Sequence, residues 1–290
     1  RSLGLAFEIR RQFLTAQPQD FVHLIKRAPS ANRWLYLLAC CALGFIWIAA
    51  VMKGASNYDS GLYHFGAIKW LNEQAITFGM VNLHTRLAYN QSYFALIALV
   101  NFHPFYEQAY AATGLFLFFL SIISCVTLVS HTTPRRLVLL ATPLVLLSGF
   151  ILKAASPTPD FAVAVFQVVI FFVLLRLFSN NRLDLTATAA QPRRLESTLV
   201  PLLAVLCVTA VTIKLSMALF CLGALAIAYR PIQSWLKDQP RCALRLVFLC
   251  IAMVLVHALR GVALSGVPFY PSTFAGLWSL PYAPDLAQVA

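Results

Sequence analysis

Charged side chains are scarce in this sequence. Asp, Glu, Lys and Arg make up 11% of its 290 residues, against about 25% in an ordinary soluble domain. Apolar residues make up 60% and form long runs that contain no charge. This composition excludes a soluble globular protein, a disordered chain and a disulfide-framed secreted module. It predicts an all-α fold, that of a polytopic helical membrane protein.

Several local signatures are also missing. None of the seven cysteines stands in a CxxC pair, and no His/Cys spacing matches a metal site. There is no glycine-rich phosphate loop of the kind that binds nucleotides. Basic residues outnumber acidic ones by 22 to 10, but they lie between apolar runs, which indicates orientation in a bilayer rather than a nucleic-acid partner. We therefore expect no disulfides, no nucleic acid and no cofactor, although two carboxylates could hold a divalent cation.

The apolar runs predict about seven membrane-spanning helices. A helix needs about 20 apolar residues to cross the hydrocarbon core, and the uncharged runs 34–51 and 109–129 come closest to that length. Five shorter runs follow along the chain: 137–152, 161–175, 199–213, 215–229 and 246–259. A further apolar patch, 93–100, is too short to be counted as a crossing.

The orientation of these spans follows from the positions of Lys and Arg. With the N-terminus inside and seven crossings, 16 of the 22 basic residues fall on the inner side, as the positive-inside rule requires. Lys214 is the only charge in residues 199–229. One long tilted helix there would move the four basic residues that follow to the outer side. The pattern therefore favours two short helices that meet at Lys214.

This topology gathers the unusual polar groups on the outer side of the membrane. Ionisable groups at membrane depth are costly, which makes them functional candidates. The candidate catalytic residues are two carboxylates, Asp59 and Asp160. The candidate substrate-binding residues are a histidine and three cations: His64, Lys153, Lys214 and Arg260.

Asp59 lies near the start of a long first outer loop, residues 52–108. After Asp59 this loop looks helical and amphipathic. Lys69 and Glu73 are four residues apart, so they share one helix face and can form an ion pair. This pattern predicts amphipathic helices that lie along the membrane interface rather than cross it.

Structural roles remain open for each candidate. Asp59 could be merely a helix N-cap, or the partner of Ser56 in a capping box. Asp160 also stands at an ordinary N-cap position. Lys214 could snorkel or pair with a nearby carboxylate. Arg260 and Lys153 could be interface anchors, and His64 could be a buried core histidine.

Six segments carry a resemblance to a known family. A long outer loop with an acidic residue just after the first span resembles the GT-C glycosyltransferase superfamily. More narrowly, the sequence is similar to a bacterial family of GT-C-like membrane proteins over about residues 35–273. The matching segments are 58–64 (YDSGLYH), 68–73 (IKWLNE), 82–90 (NLHTRLAYN), 156–160 (SPTPD), 212–216 (TIKLS) and 265–271 (SGVPFYP).

GT-C enzymes transfer a sugar from a polyprenyl-phosphate carrier to an acceptor on the outer side of the membrane. The resemblance implies that Asp59 is the base and that Asp160 is the second carboxylate. A carboxylate can take a proton from an acceptor hydroxyl. The lipid phosphate needs cations, which Lys214 and Arg260 could supply.

The same resemblance implies an organisation and a location. Residues 1–33 would be a cytoplasmic segment, residues 34–273 a GT-C-like transmembrane domain, and residues 274–290 a truncated C-terminal segment. The protein would lie in the bacterial inner membrane, with its N-terminus cytoplasmic, and act in cell-envelope glycan assembly. Its partners would be membrane lipids and a polyprenyl-phosphate sugar, with the acceptor left open.

Two other functions stay open. A transporter or flippase of lipid-linked saccharides would have ionisable groups near the midplane and two related halves, and no such halves are present in the sequence. A non-catalytic membrane subunit would have outer polar residues that do not converge on a cavity.

Overall fold

A computed structural model describes residues 41–42, 45–49, 52–74, 76–101, 114–115, 153, 155–183, 190–272 and 280–284. The chain divides into two compact units, Arg1–Ala49 and Ala50–Ala290. The described residues of the first unit are helical. In the described residues of the second unit every regular element is also helical, so the all-α prediction is confirmed for the described chain.

The structure gives the bounds of seven α-helices in the second unit. In chain order they are α1 (Phe65–Glu73), α2 (Ser92–Val100), α3 (Pro159–Leu183), α4 (Ala190–Ile213), α5 (Ala218–Ile227), α6 (Tyr229–Asp238) and α7 (Pro240–Ser265). A π-helical turn, Ser60–His64, leads directly into α1. Short 3-10 turns occupy Met80–Asn82, Thr85–Ala88 and Leu215–Met217.

Two described helices are long and apolar enough to cross a membrane. They are Pro159–Phe178 of α3 and Pro240–Ser265, which is α7. The bent pair α5–α6 would make a third if it is one broken span. The apolar part of α4, Ser197–Ile213, is shorter. The predicted runs 34–51, 109–129 and 137–152 lie largely outside the described residues. The membrane-protein prediction is therefore supported, and the number of seven spans stays a prediction.

The predicted break at Lys214 is confirmed. Helix α4 ends at Ile213, and Lys214 has an extended backbone (φ −150°, ψ 119°) before the 3-10 turn begins. The predicted run 215–229 contains a bend, because α5 ends at Ile227 and α6 leaves at an angle of 67°, and a span over these residues stays a prediction. Arg230 and Lys237 make α6 more polar than α5.

The first outer loop packs onto the C-terminal half of α7. As predicted, Lys69 and Glu73 pair on α1, with 3.8 Å between Nζ and Oε1. Beyond α1, the Gly79 amide donates to the carbonyl of Ala263 at 3.0 Å. The surrounding apolar cluster joins the loop to the end of α7 and to the residues after it: Met80, Val81, Ala88, Leu264, Val267 and Tyr270.

A close approach of backbones shapes the end of α7. A Cβ atom on Gly261 would lie 2.3 Å from the carbonyl oxygen of Pro268, so only glycine fits there. Gly266 ends the helix with φ +75°, the left-handed conformation that glycine adopts at little cost. These two glycines let the chain turn back over α7 immediately after the helix ends.

Candidate functional site

Asp59 forms an ion pair across the first outer loop. Its Oδ1 accepts a hydrogen bond of 2.6 Å from Nη1 of Arg86, and both side chains are 40% exposed. The 3-10 turn that carries Arg86 is fixed by His84, whose Nδ1 accepts from the Arg86 amide at 3.2 Å. The Arg86 guanidinium also lies 5.8 Å from the ring centre of Tyr63. The interpretation of Asp59 as a helix N-cap is wrong, because Asp59 makes no side-chain cap bond to the π-helical turn that it precedes.

The chain before Asp59 is attached to the segment that precedes α3. Both the Ser56 amide and the Asn57 amide donate to Oγ of Ser156 at 3.2 Å. Ser156 is buried and stands four residues before Asp160. These two hydrogen bonds bring the loop that carries the first candidate carboxylate next to the turn that carries the second.

Asp160 and Lys214 form the second ion pair of the site, between Oδ1 and Nζ. Asp160 lies inside the first turn of α3 rather than at the N-cap, where a negative charge is favoured by the helix dipole. Lys214 reaches it from the break between α4 and the next 3-10 turn. The alternative that Lys214 pairs with a carboxylate is therefore confirmed. The Lys214 side chain is 38% exposed and that of Asp160 is 51% exposed.

His64 is buried in the core. Its ring is buried, with Nδ1 3.3 Å from Oγ of Ser60 and the ring centre 5.2 Å from that of Phe94. Burial lowers the pKa of His64 to about 4, against the raising effects of Asp59 and Asp160. The ring is therefore neutral near pH 7. This placement matches the alternative of a buried core histidine.

All four charges of the two ion pairs act on His64. The charges of Asp59 and Asp160 raise the pKa of His64, and those of Arg86 and Lys214 lower it. Burial, followed by the charge of Asp59, raises the pKa of the neighbouring Tyr63 to about 12. We call this group the paired-charge cluster, and its members are Asp59, Arg86, Asp160 and Lys214.

Arg260 lies outside the paired-charge cluster and has a different partner. Its Nη1 donates to Oδ1 of Asn90 at 2.5 Å, while Nδ2 of Asn90 donates to the carbonyl of His257 at 2.5 Å. Arg260 also lines a small cleft of about 30 Å³ with mostly apolar walls, such as Trp70 and Phe94. Among the residues that the structure describes, no carboxylate pairs with this guanidinium.

A hydroxyl contact lies between the surroundings of Arg260 and the paired-charge cluster. Oγ of Ser92 is 3.0 Å from Oγ1 of Thr212. Ser92 follows Asn90 by two residues, and Thr212 precedes Lys214 by two. Both cations therefore lie near the start of α2, but each has its own partner. The hypothesis that they flank one phosphate stays a prediction.

Lys153 is exposed, and its carbonyl accepts from the Ser156 amide at 2.9 Å. This contact places Lys153 at the turn before α3. In the described segments its ammonium group forms no ion pair. In the same segments no group of three or more His, Cys, Asp or Glu side chains could hold a metal ion.

Sequence reasoning missed two residues of the site, Arg86 and Asn90. Both lie in the segment 82–90, which stood out only for its resemblance. The signal for Arg86 was available, because it is one of six basic residues predicted on the outer side and needs a partner there. Asn90 gave no such signal, since its two partners, His257 and Arg260, are distant in sequence.

Comparison with known proteins identifies one family. No curated protein matches the chain, and no solved structure matches it. Residues 4–289 match the family described as Domain of unknown function (DUF8201). Because the match covers nearly the whole chain, the protein belongs to the DUF8201 family.

Proposed function

We propose that this protein is a membrane glycosyltransferase that moves a sugar from a polyprenyl-phosphate carrier to an acceptor hydroxyl in cell-envelope glycan assembly. The observation that carries the proposal is the paired-charge cluster. It holds two carboxylates of distant segments, each oriented by its own cation and each partly exposed. The inner-membrane location, the N-terminal orientation and the GT-C-like fold belong to the same proposal.

Asp59 is the proposed base. Its Oδ1 is bound by Arg86, which leaves Oδ2 for the proton of an acceptor hydroxyl. As the acceptor oxygen forms a bond to the anomeric carbon, the bond from that carbon to the phosphate oxygen breaks and the proton passes to Asp59. Arg86 fixes the direction of the carboxylate, so it is a positioning residue for this step.

The leaving group keeps the electron pair of the broken bond and departs as a polyprenyl phosphate. Cations placed at the developing charge stabilise such a transition state. Lys214, held by Asp160 in the paired-charge cluster, and Arg260, in its own cleft, are the proposed sources of that charge. Asp160 then has the role of positioning Lys214, in addition to its proposed role as the second carboxylate.

The test is turnover of a labelled polyprenyl-phosphate sugar by membranes that contain the full-length protein. Asp59→Asn keeps the shape of the side chain and removes its basicity, so the rate should fall by about 10²–10⁴. Asp238→Asn changes an exposed aspartate at the end of α6 and should leave the rate unchanged. An Asp59→Asn rate within a few-fold of wild type would make Asp59 a purely structural partner of Arg86, as expected of a non-catalytic subunit.

A further inference from the structure

Helix α6 presents three different faces around its axis. Pro231 and Trp235, four residues apart, are buried, and the helix packs against α4 and α7. A second face is apolar but exposed: Tyr229 is 58% exposed and Leu236 is 41% exposed. Arg230 and Lys237 occupy the third. They are seven residues apart, about two helical turns, and both are exposed.

The exposed apolar face and the basic face are adjacent on α6. At 100° per residue, the apolar face turns into the basic one at Gln233, whose Nε2 donates to the hydroxyl of Tyr229 at 2.8 Å. A helix with one face on protein, one apolar face and one basic face has the composition of a helix that lies in a membrane interface. In a helix of that kind the apolar face contacts acyl chains and the basic face contacts lipid headgroups.

The position of α6 in the chain agrees with such a location. One residue after α6, helix α7 begins at Pro240 and is apolar enough to span a membrane. Most of the apolar side chains of α7 are exposed rather than packed on the protein, for example Phe248 at 74% and Val256 at 67%. The 67° bend between α5 and α6 turns α6 away from the direction of the preceding apolar helix.

The basic residues of this region continue into the first turns of α7. Arg241 and Arg245 are exposed, four residues apart, and so lie on one helix face. With Arg230 and Lys237 they make four basic residues in the segment 230–245, against one acidic residue, Asp238. In the part of the chain that the structure describes, none of these four cations forms an ion pair.

We infer that α6 and the start of α7 form a binding site for anionic phospholipid. The phosphate group is held by Arg230 and Lys237 through charge-assisted hydrogen bonds, and Arg241 and Arg245 add to the local positive potential. The acyl chains lie against Leu236 and the exposed side of α7. This site is separate from the paired-charge cluster and does not depend on the proposed glycosyl transfer.

The test is a lipid titration of the full chain in detergent, followed by native mass spectrometry with phosphatidylglycerol or phosphatidylcholine. The wild-type protein should bind phosphatidylglycerol more tightly, and raising the salt concentration to about 0.5 M should reduce that preference because the attraction is screened. The variant Arg230→Gln/Lys237→Gln should weaken phosphatidylglycerol binding by about fivefold for each charge removed. The matched control Lys53→Gln/Lys69→Gln removes two exposed charges elsewhere and should leave the affinity within about twofold of the wild-type value.

A second variant tests the apolar face alone. Leu236→Gln keeps every charge and should weaken the binding of both lipids by a similar factor. Equal affinity of the wild type for the two lipids would overturn the inference, and is the result expected if an acidic protein were the true partner of the basic face. Equal losses of phosphatidylglycerol affinity in the two double variants would also overturn the inference. So would displacement of phosphatidylglycerol by equimolar glycerol phosphate, which carries the anion without the acyl chains.

Discussion

Replacement of Gly261 by alanine is expected to destabilise the protein, although the same change stabilises most helices. In helix α7 a new Cβ at this position would lie 2.3 Å from the carbonyl oxygen of Pro268 and 2.9 Å from its carbonyl carbon. Carbon–oxygen contacts are normally about 3.3–3.6 Å, so the two backbones must separate by about 1 Å. No side-chain rotation can relieve this contact, because both atoms belong to the backbone.

The magnitude follows from two opposing effects. Overpacking of this kind costs about 1–3 kcal/mol, whereas alanine in a helix gains about 0.5–1 kcal/mol over glycine. The net free energy of unfolding should therefore fall by about 1–2 kcal/mol. Gly223 in α5 is the matched control, because a Cβ atom there would meet no atom of the described residues within 4 Å. Gly223→Ala should therefore be neutral or stabilising.

Thermal unfolding of the two variants in the same detergent provides the measurement. A loss of about 1 kcal/mol corresponds to a fall in Tm of about 2–4 °C in a chain of roughly this size. The expected result is a lower Tm for Gly261→Ala and an unchanged or higher Tm for Gly223→Ala. If both variants had the same Tm as the wild type, the close approach of α7 to Pro268 would be refuted.

Three further predictions concern the surroundings of the site. Because the unfolded chain protonates His64 near pH 6.5 and the folded protein only near pH 4, unfolding free energy should fall as the pH drops through this window, and His64→Gln should reduce that dependence in denaturant titrations. Asn90→Ala removes a buried link between Arg260 and the His257 carbonyl and should cost about 1–3 kcal/mol of stability, measured by the same titrations. Ser156→Ala deprives two loop amides of their acceptor, and hydrogen exchange at those amides should become faster; unchanged exchange would contradict the attachment of the loop.

Local patterns in the sequence predicted local features of the fold. A single charge within the 31 residues 199–229 placed the helix break at Lys214, because a lone ammonium group is costly inside a membrane helix. The spacing of Lys69 and Glu73 predicted their ion pair. The bend after Ile227 was missed, because residues 215–229 look uniformly apolar and the polar face of α6 begins only at Arg230.

The contacts that build the site could not be derived in the same way. Asp59 and Arg86 are 27 residues apart, and Asn90 and Arg260 are 170 apart. The first pair forms through the fold of the first outer loop and the second through the packing of that loop on α7, and no periodic pattern in the sequence predicts either. The pair of Asp160 with Lys214 was foreseen only as a pair with some nearby carboxylate, because charge alone does not identify the partner.

Because the first outer loop is attached to α7, a change in bilayer thickness would change the position of the site. Helix α7 has 26 residues, but its uncharged part, residues 246–259, is only about 21 Å long, less than the ~30 Å of an average hydrocarbon core. A hydrophobic stretch that is too short is accommodated by local thinning of the bilayer or by flanking side chains that reach the interface, and this demand grows as the bilayer becomes thicker. The loop is hydrogen-bonded to α7 through Gly79 and Asn90, so a movement of α7 carries Arg86 with it. Lipid chain length would then tune the depth at which the Asp59 carboxylate is held.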